Sequence, residues 1–291
     1  MTVGCLLNKA MATLYRARKI ENKNMLRIKA LSLAFFFVIS ASAATAGPTA
    51  YIAIDVENGE VLMERFSNTR LHLAGLTKLM TLYVAFQAIE GGEVSLDTPI
   101  IVSNKASWVI GSEVKLDEGT EIALRYLIRA SGVGGANDAS MAIAEGLSGS
   151  EELFAQRMNI ASNDLGLANS SWKNPHGLTE KSHFSTASDI AKLFIAHTQD
   201  FPQWFNIFSR RTTDAGIREV ANTSRRILAS IKGVTGAKYG YTHAAGYSGA
   251  AYVERWPRPV VVVVLGAKSK SDLRQKTNDL VDAAYDKIKK K

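Results

Sequence analysis

The segment Pro259-Val260-Val261-Val262-Val263-Val264-Leu265 constrains the fold of this chain more than any other. Five successive valines have strong β character, and a run without polar alternation suits a strand covered on both faces. More strands are expected near both ends. Tyr51–Val56 is rich in β-formers, Asn58-Gly59 supplies two positive-φ residues for a tight hairpin turn, and Glu60–Glu64 returns. Tyr247–Glu254 leads through Arg255-Trp256-Pro257 into the valine run. Between these strands the pattern turns helical. Leu76, Leu79, Met80, Tyr83, Val84, Phe86 and Ile89 make a helix apolar around most of its circumference, which belongs inside a domain, and Gly91-Gly92 ends it. An apolar helix near Ala123–Ile128 is broken by Gly132-Val133-Gly134-Gly135, and Asp138–Leu147 follows. Ser150 caps a helix with Glu151 and Glu152 in its first turn, and Thr186 with Asp189 forms a capping box for a helix reaching His197. An amphipathic helix, Asp272 to Lys289, closes the chain. Strands at both ends with helices between imply an α+β protein: a sheet covered by helices plus an all-helical lobe.

The formal charge of +8 is unevenly spread. Residues 1–46 hold seven Lys or Arg against the single acid Glu21, leaving only +2 for residues 47–291. A nucleic-acid partner therefore loses its main support. The basic segment reads as a leader. Met25-Leu26-Arg27-Ile28-Lys29 precedes an apolar core from Leu31 to Ile39, and Ala44-Thr45-Ala46 is an A-x-A-like cleavage site. That core is shorter than the ~20 residues a membrane span needs. We expect a start at Met25, cleavage near Ala46, a mature domain over 47–291 without a transmembrane helix, and a periplasmic location. The one cysteine, Cys5, lies in the leader, so the mature chain forms no disulfide.

The chemistry-bearing stretches are Leu73-Ala74-Gly75-Leu76-Thr77-Lys78-Leu79-Met80-Thr81, Gly135-Ala136-Asn137-Asp138-Ala139 and Lys238-Tyr239-Gly240-Tyr241-Thr242. Their order and spacing, about 60 and 100 residues apart, resemble the three motifs of the serine-type D-alanyl-D-alanine carboxypeptidases, the low-molecular-mass penicillin-binding proteins. The resemblance runs through most of residues 49–285 and implies a β-lactamase/transpeptidase-like fold with an antiparallel sheet. The family's first motif is Ser-x-x-Lys at the start of a buried helix. The helix N-terminus there stabilises developing negative charge, and the lysine one turn on takes the serine proton. Lys78 stands in place, but the serine position is Gly75. In the second motif, Ser-x-Asn, Asn137 stands for the residue that holds the substrate amide, while the proton-relaying serine is replaced by Gly135. In the third, Lys-Thr-Gly, Lys238 and Gly240 remain, and Tyr239 replaces the threonine. The resemblance implies that Lys238, and Arg258 before the valine strand, anchor the substrate carboxylate, and that the Tyr241 N–H completes an oxyanion hole. Asn174-Pro175-His176-Gly177-Leu178 resembles a further carboxypeptidase loop.

The departures decide the expected function. Loss of the nucleophile of a serine hydrolase costs on the order of 10⁶ in turnover. The reading is a pseudo-enzyme that binds peptidoglycan stem peptide or an envelope protein without hydrolysis. Its alternative is an active carboxypeptidase with a relocated nucleophile, for which Thr77 and Ser131 are the nearest hydroxyls in sequence. A β-lactamase would need the same missing serine. The five histidines show no metal-ligand spacing, and no G-x-G-x-x-G supports a dinucleotide, so no cofactor or metal is expected. A structural role is the third reading, with Tyr239 and Trp256 filling the cleft or forming a protein contact surface.

Overall fold

The computed structural model describes residues 48–290. The expected leader, with its expected start and cleavage site, lies outside the described residues. Strand β1 (Ala50–Asp55) pairs antiparallel with β2 (Val61–Arg65). The hairpin expected at Asn58-Gly59 is present but built differently. Only Gly59 takes positive φ, at 72°. Asp55 Oδ1 accepts the Glu57 N–H and Asn58 Oδ1 accepts the Glu60 N–H, so two Asx turns shape a longer loop.

A 3₁₀ turn (Ala74–Leu76) opens the buried helix α1 (Thr77–Glu90). There follow β3 (Pro99–Ile101), α2 (Asn104–Ser107), β4 (Glu121–Ala123) and α3 (Leu124–Arg129). A π turn at Ala130–Gly134 leads into α4 (Asn137–Ser148), then α5 (Glu151–Asp164) and α6 (Ala187–Asp200). Ser150 accepts the Leu153 N–H and Thr186 the Asp189 N–H, as their spacing implies. The small hairpin β5 (Thr212–Asp214) and β6 (Glu219–Ala221) precedes α7 (Arg225–Ser230). Strands β7 (Val234–Thr242), β8 (Gly246–Val253) and β9 (Val260–Ala267) and helix α8 (Lys270–Lys289) complete the chain.

The five-stranded sheet runs β2-β1-β9-β8-β7, with antiparallel pairing throughout. The valine strand β9 is central and wholly buried. Alternate residues serve two cores. Val261, Val263 and Leu265 join the helical side, where Leu79, Phe86 and Phe194 pack. Val260, Val262 and Val264 join Leu273, Val281 and Ala284 of α8 on the other face. Each fully buried valine is worth about 1.5–3 kcal/mol over its exposed state, so placing this run anywhere but the centre would forfeit several such terms. The fold is α+β, and β7 forms one edge of the sheet. Among the described residues, no helix is long and apolar enough to cross a membrane.

Candidate functional site

The edge strand β7, the 3₁₀ turn before α1, the start of α4 and the 174–178 loop enclose a cleft of about 300 Å³. Lys78, one turn beyond Gly75, forms its floor. The Lys78 Nζ donates to Asn137 Oδ1 at 2.6 Å and to the His176 carbonyl at 2.7 Å. Burial, helped by the nearby Lys238, pushes the Lys78 amine well below the usual lysine range, while Asp138 opposes the shift.

Asn137 is the first residue of α4, and its side chain is fixed at both ends. Its Nδ2 donates to the Ile110 carbonyl at 2.7 Å, and its backbone N–H donates to Ser112 O at 2.6 Å. Asp138, buried beside it, accepts the N–H groups of Val114 and Leu116. The 111–116 segment is thereby clamped as one cleft wall. On the opposite wall, Asn174 Oδ1 accepts the Gly177 N–H at 2.7 Å and shapes the turn that presents the His176 carbonyl to Lys78. Burial lowers the His176 pKa against the pull of Glu151, 3.3 Å away.

Gly75 and Gly240 meet backbone to backbone. A Cβ on Gly75 would fall 2.8 Å from the Tyr239 carbonyl oxygen and 3.2 Å from Gly240 Cα. A Cβ on Gly240 would fall 2.3 Å from the Gly75 nitrogen. Both obstacles are main chain, so no rotamer change relieves them. Gly135 sits at φ 71°, in the left-handed region, where a serine would be strained. A Cβ there would lie 3.1 Å from Thr223 Cγ2. Thr223, which carries no motif signal in the sequence, lines the cleft with a buried hydroxyl that has no hydrogen-bond partner among the described residues.

Two expected cleft cations are elsewhere. Lys238 is fully buried and donates to the Ser131 and Gly132 carbonyls at 2.9 and 2.6 Å, which the π turn delivers to it. Burial lowers its pKa to about 7. It braces β7 against the helical lobe and does not line the cleft. Arg258 ion-pairs with the buried Asp55 at 2.7 Å. Tyr239 is level with Gly249, and Gly249 with Val264. Six residues of extended chain therefore set Arg258 about 20 Å along the sheet from the cleft. Lys238 thus lies buried behind the cleft wall, and Arg258 is held by Asp55 away from it. Tyr239 and Tyr241 do border the cleft, their rings 6.5 and 4.3 Å from that of Tyr247. Trp256, also expected near the cleft, does not line it and is almost fully exposed.

Neither alternative nucleophile is poised. Thr77 Oγ1 is buried, 2.7 Å from His183 Nε2. His183 Nδ1 accepts the Lys173 N–H, so Nε2 carries the ring proton and donates to Thr77. Burial holds His183 neutral, at a pKa of about 3. The imidazole is a donor to this hydroxyl and cannot act as its base. Ser131 Oγ is buried against Ser140 Oγ at 2.8 Å. Among the described residues, no group of three or more His, Cys, Asp or Glu side chains could hold a metal.

Comparison with known proteins agrees with the geometry. Residues 38–269 match the family model described as D-alanyl-D-alanine carboxypeptidase. The chain is 33% identical over 239 residues to D-alanyl-D-alanine carboxypeptidase DacF of Bacillus subtilis, covering 80% of this chain and 61% of that one. Penicillin binding protein 5 from Haemophilus influenzae superposes with a TM-score of 0.76 at 27% identity, covering 80% of this chain and 69% of that one. Penicillin-Binding Protein D2 from Listeria monocytogenes, solved in its cefotaxime-bound form, gives 0.73 at 28% identity over 81% of this chain and 96% of its own. The chain spans roughly three fifths of the length of the curated relatives it matches, at 61% and 56% for two of them. On motif order, sheet topology and these similarities, the chain belongs to the D-alanyl-D-alanine carboxypeptidase family.

Proposed function

We propose that this chain is a non-hydrolysing member of its family, working outside the cytoplasm in the cell envelope. The observation that carries the reading is the Gly75–Gly240 contact. The residue one turn before Lys78 has no hydroxyl, and the opposing strand occupies the space that a side chain would need. Lys78 retains a lowered pKa yet has no oxygen to deprotonate, so no acyl-enzyme forms. The hydrogen bonding of Thr77 and Ser131 opposes a relocated nucleophile.

The preserved Lys78–Asn137–His176 network supports a retained binding cleft for the end of a peptidoglycan stem peptide or an envelope protein segment. Tyr239 and Tyr241 would contribute apolar contact at its mouth. Because Lys238 and Arg258 lie outside the cleft, capture of a terminal carboxylate is not part of this proposal. An export leader ending near Ala46 supports the envelope location.

The test is D-alanine release from a stem pentapeptide, alongside equilibrium binding of the same peptide. The expected result is no release above the enzyme-free rate. Turnover by the unmodified chain at a rate typical of hydrolases would overturn the proposal.

A further inference from the structure

Beside the cleft lies a larger cavity of about 630 Å³, and the two share Thr223 and Tyr239. The start of α7 and the first turns of α8 wall it. Arg225, Arg226, Lys270 and Arg274 line it, all exposed, and no Asp or Glu does. Among the described residues none of the four enters an ion pair. Arg225 makes only a long 3.4 Å bond to its neighbour, the Asn222 carbonyl. The acid closest in sequence on α8, Asp272, is already engaged by Lys276 and the Lys268 N–H. Residues 47–291 carry a formal excess of only +2, so four unneutralised cations in one groove are a local concentration. Like charges gathered within a Debye length of about 8–10 Å repel one another unless an anion sits among them.

The groove also has an aromatic wall. Tyr239 and Tyr247 stand 6.5 Å apart with their rings tilted by 32°. An arginine fork matches carboxylate or phosphate oxygens in paired hydrogen bonds, and a tyrosine face offers apolar contact to a ring. No large apolar side chain other than these tyrosines, Ile227 and Leu273 lines the cavity. The last two are buried, so the apolar surface open to a ligand is that of the tyrosine rings. We propose that this groove binds an anionic glycan, with its sugar rings along Tyr239 and Tyr247 and its carboxylates or phosphates on Arg225, Arg226, Lys270 and Arg274. The proposal stands whether or not the cleft binds peptide.

The experiment is calorimetric titration of the full chain with a galacturonic acid hexamer, with maltohexaose as the neutral counterpart and hexaglutamate as a sugar-free polyanion. The hexagalacturonate should bind, and rising salt should weaken it. The variant Arg226→Glu/Arg274→Glu, altered only at exposed positions, should keep its melting temperature and lose about ten-fold or more in affinity. Absence of hexagalacturonate binding, unchanged affinity in the double variant, or equal binding of maltohexaose or hexaglutamate would overturn the proposal.

Discussion

The Cα of Gly240 lies 3.2 Å from where a Cβ on Gly75 would stand, and the Tyr239 carbonyl oxygen is nearer still at 2.8 Å. A side chain at residue 75 must therefore displace β7. Overpacking of this kind costs about 1–3 kcal/mol. Gly75→Ser should lower the melting temperature by several degrees, at about 2–4 °C per kcal/mol for a domain of this size. It should also remain inactive in D-alanine release. Gly240→Ala, aimed at the Gly75 nitrogen at 2.3 Å, should destabilise more than Gly75→Ser. Calorimetric melting of the two variants checks the order, and a Gly75→Ser protein as stable as the parent would remove the steric argument.

Lys238 leaves a pH signature. Its folded pKa, lowered by burial to about 7, lies below the 10.5 usual for an exposed lysine amine. Between these values the unfolded chain binds more protons than the folded one, so this group's burial penalty shrinks as pH rises from about 7 towards 10. The stability of the parent protein relative to Lys238→Met should therefore grow over that range, because only the parent carries the titrating amine. Chemical denaturation at several pH values measures the difference. A difference independent of pH would mean that Lys238 stays charged in the folded state.

Asp138 and Arg258 test structural against binding roles. Asp138→Ala strips acceptors from the Val114 and Leu116 N–H groups. Each buried donor left unsatisfied costs about 1–3 kcal/mol. Hydrogen exchange should then speed up selectively over residues 111–116. Unchanged protection there would show that another group holds that wall.

Arg258→Ala should behave in the opposite way at the cleft. It leaves the buried Asp55 carboxylate without its ion-pair partner, a loss of about 3–5 kcal/mol. Peptide affinity measured on the folded variant should be unchanged, since the side chain lies far along the sheet. A large drop in affinity without loss of stability would restore Arg258 as a ligand anchor.

The architecture was legible where sequence and burial say the same thing. The valine run reads as a doubly covered strand and is the centre of the sheet. The apolar run from Leu76 reads as an interior helix, and the Ser150 and Thr186 caps sit where their spacing places them. The site was legible as an ordered set of motifs. It was not legible wherever orientation in space decides the role. Lys238 reads as a ligand-facing cation because nothing in its strand reveals the two carbonyls supplied by a π turn a hundred residues earlier. Arg258 adjoins the valine strand in sequence, but depth along a sheet depends on register. Gly75 reads as a missing hydroxyl, and the further fact of a closed backbone contact appears only when β7 is in place. Thr223 belongs to no motif, and only folding brings it beside Gly135.

The most direct test of the central claim is intact-mass measurement of the mature chain after prolonged incubation with a β-lactam such as cefotaxime, followed by peptide mapping. The mass should stay that of the unmodified protein, because residue 75, one turn before Lys78, carries no hydroxyl to acylate. A ring-opened adduct mapped to Thr223 or any other side chain of the cleft, or to the buried Thr77 or Ser131, would contradict it.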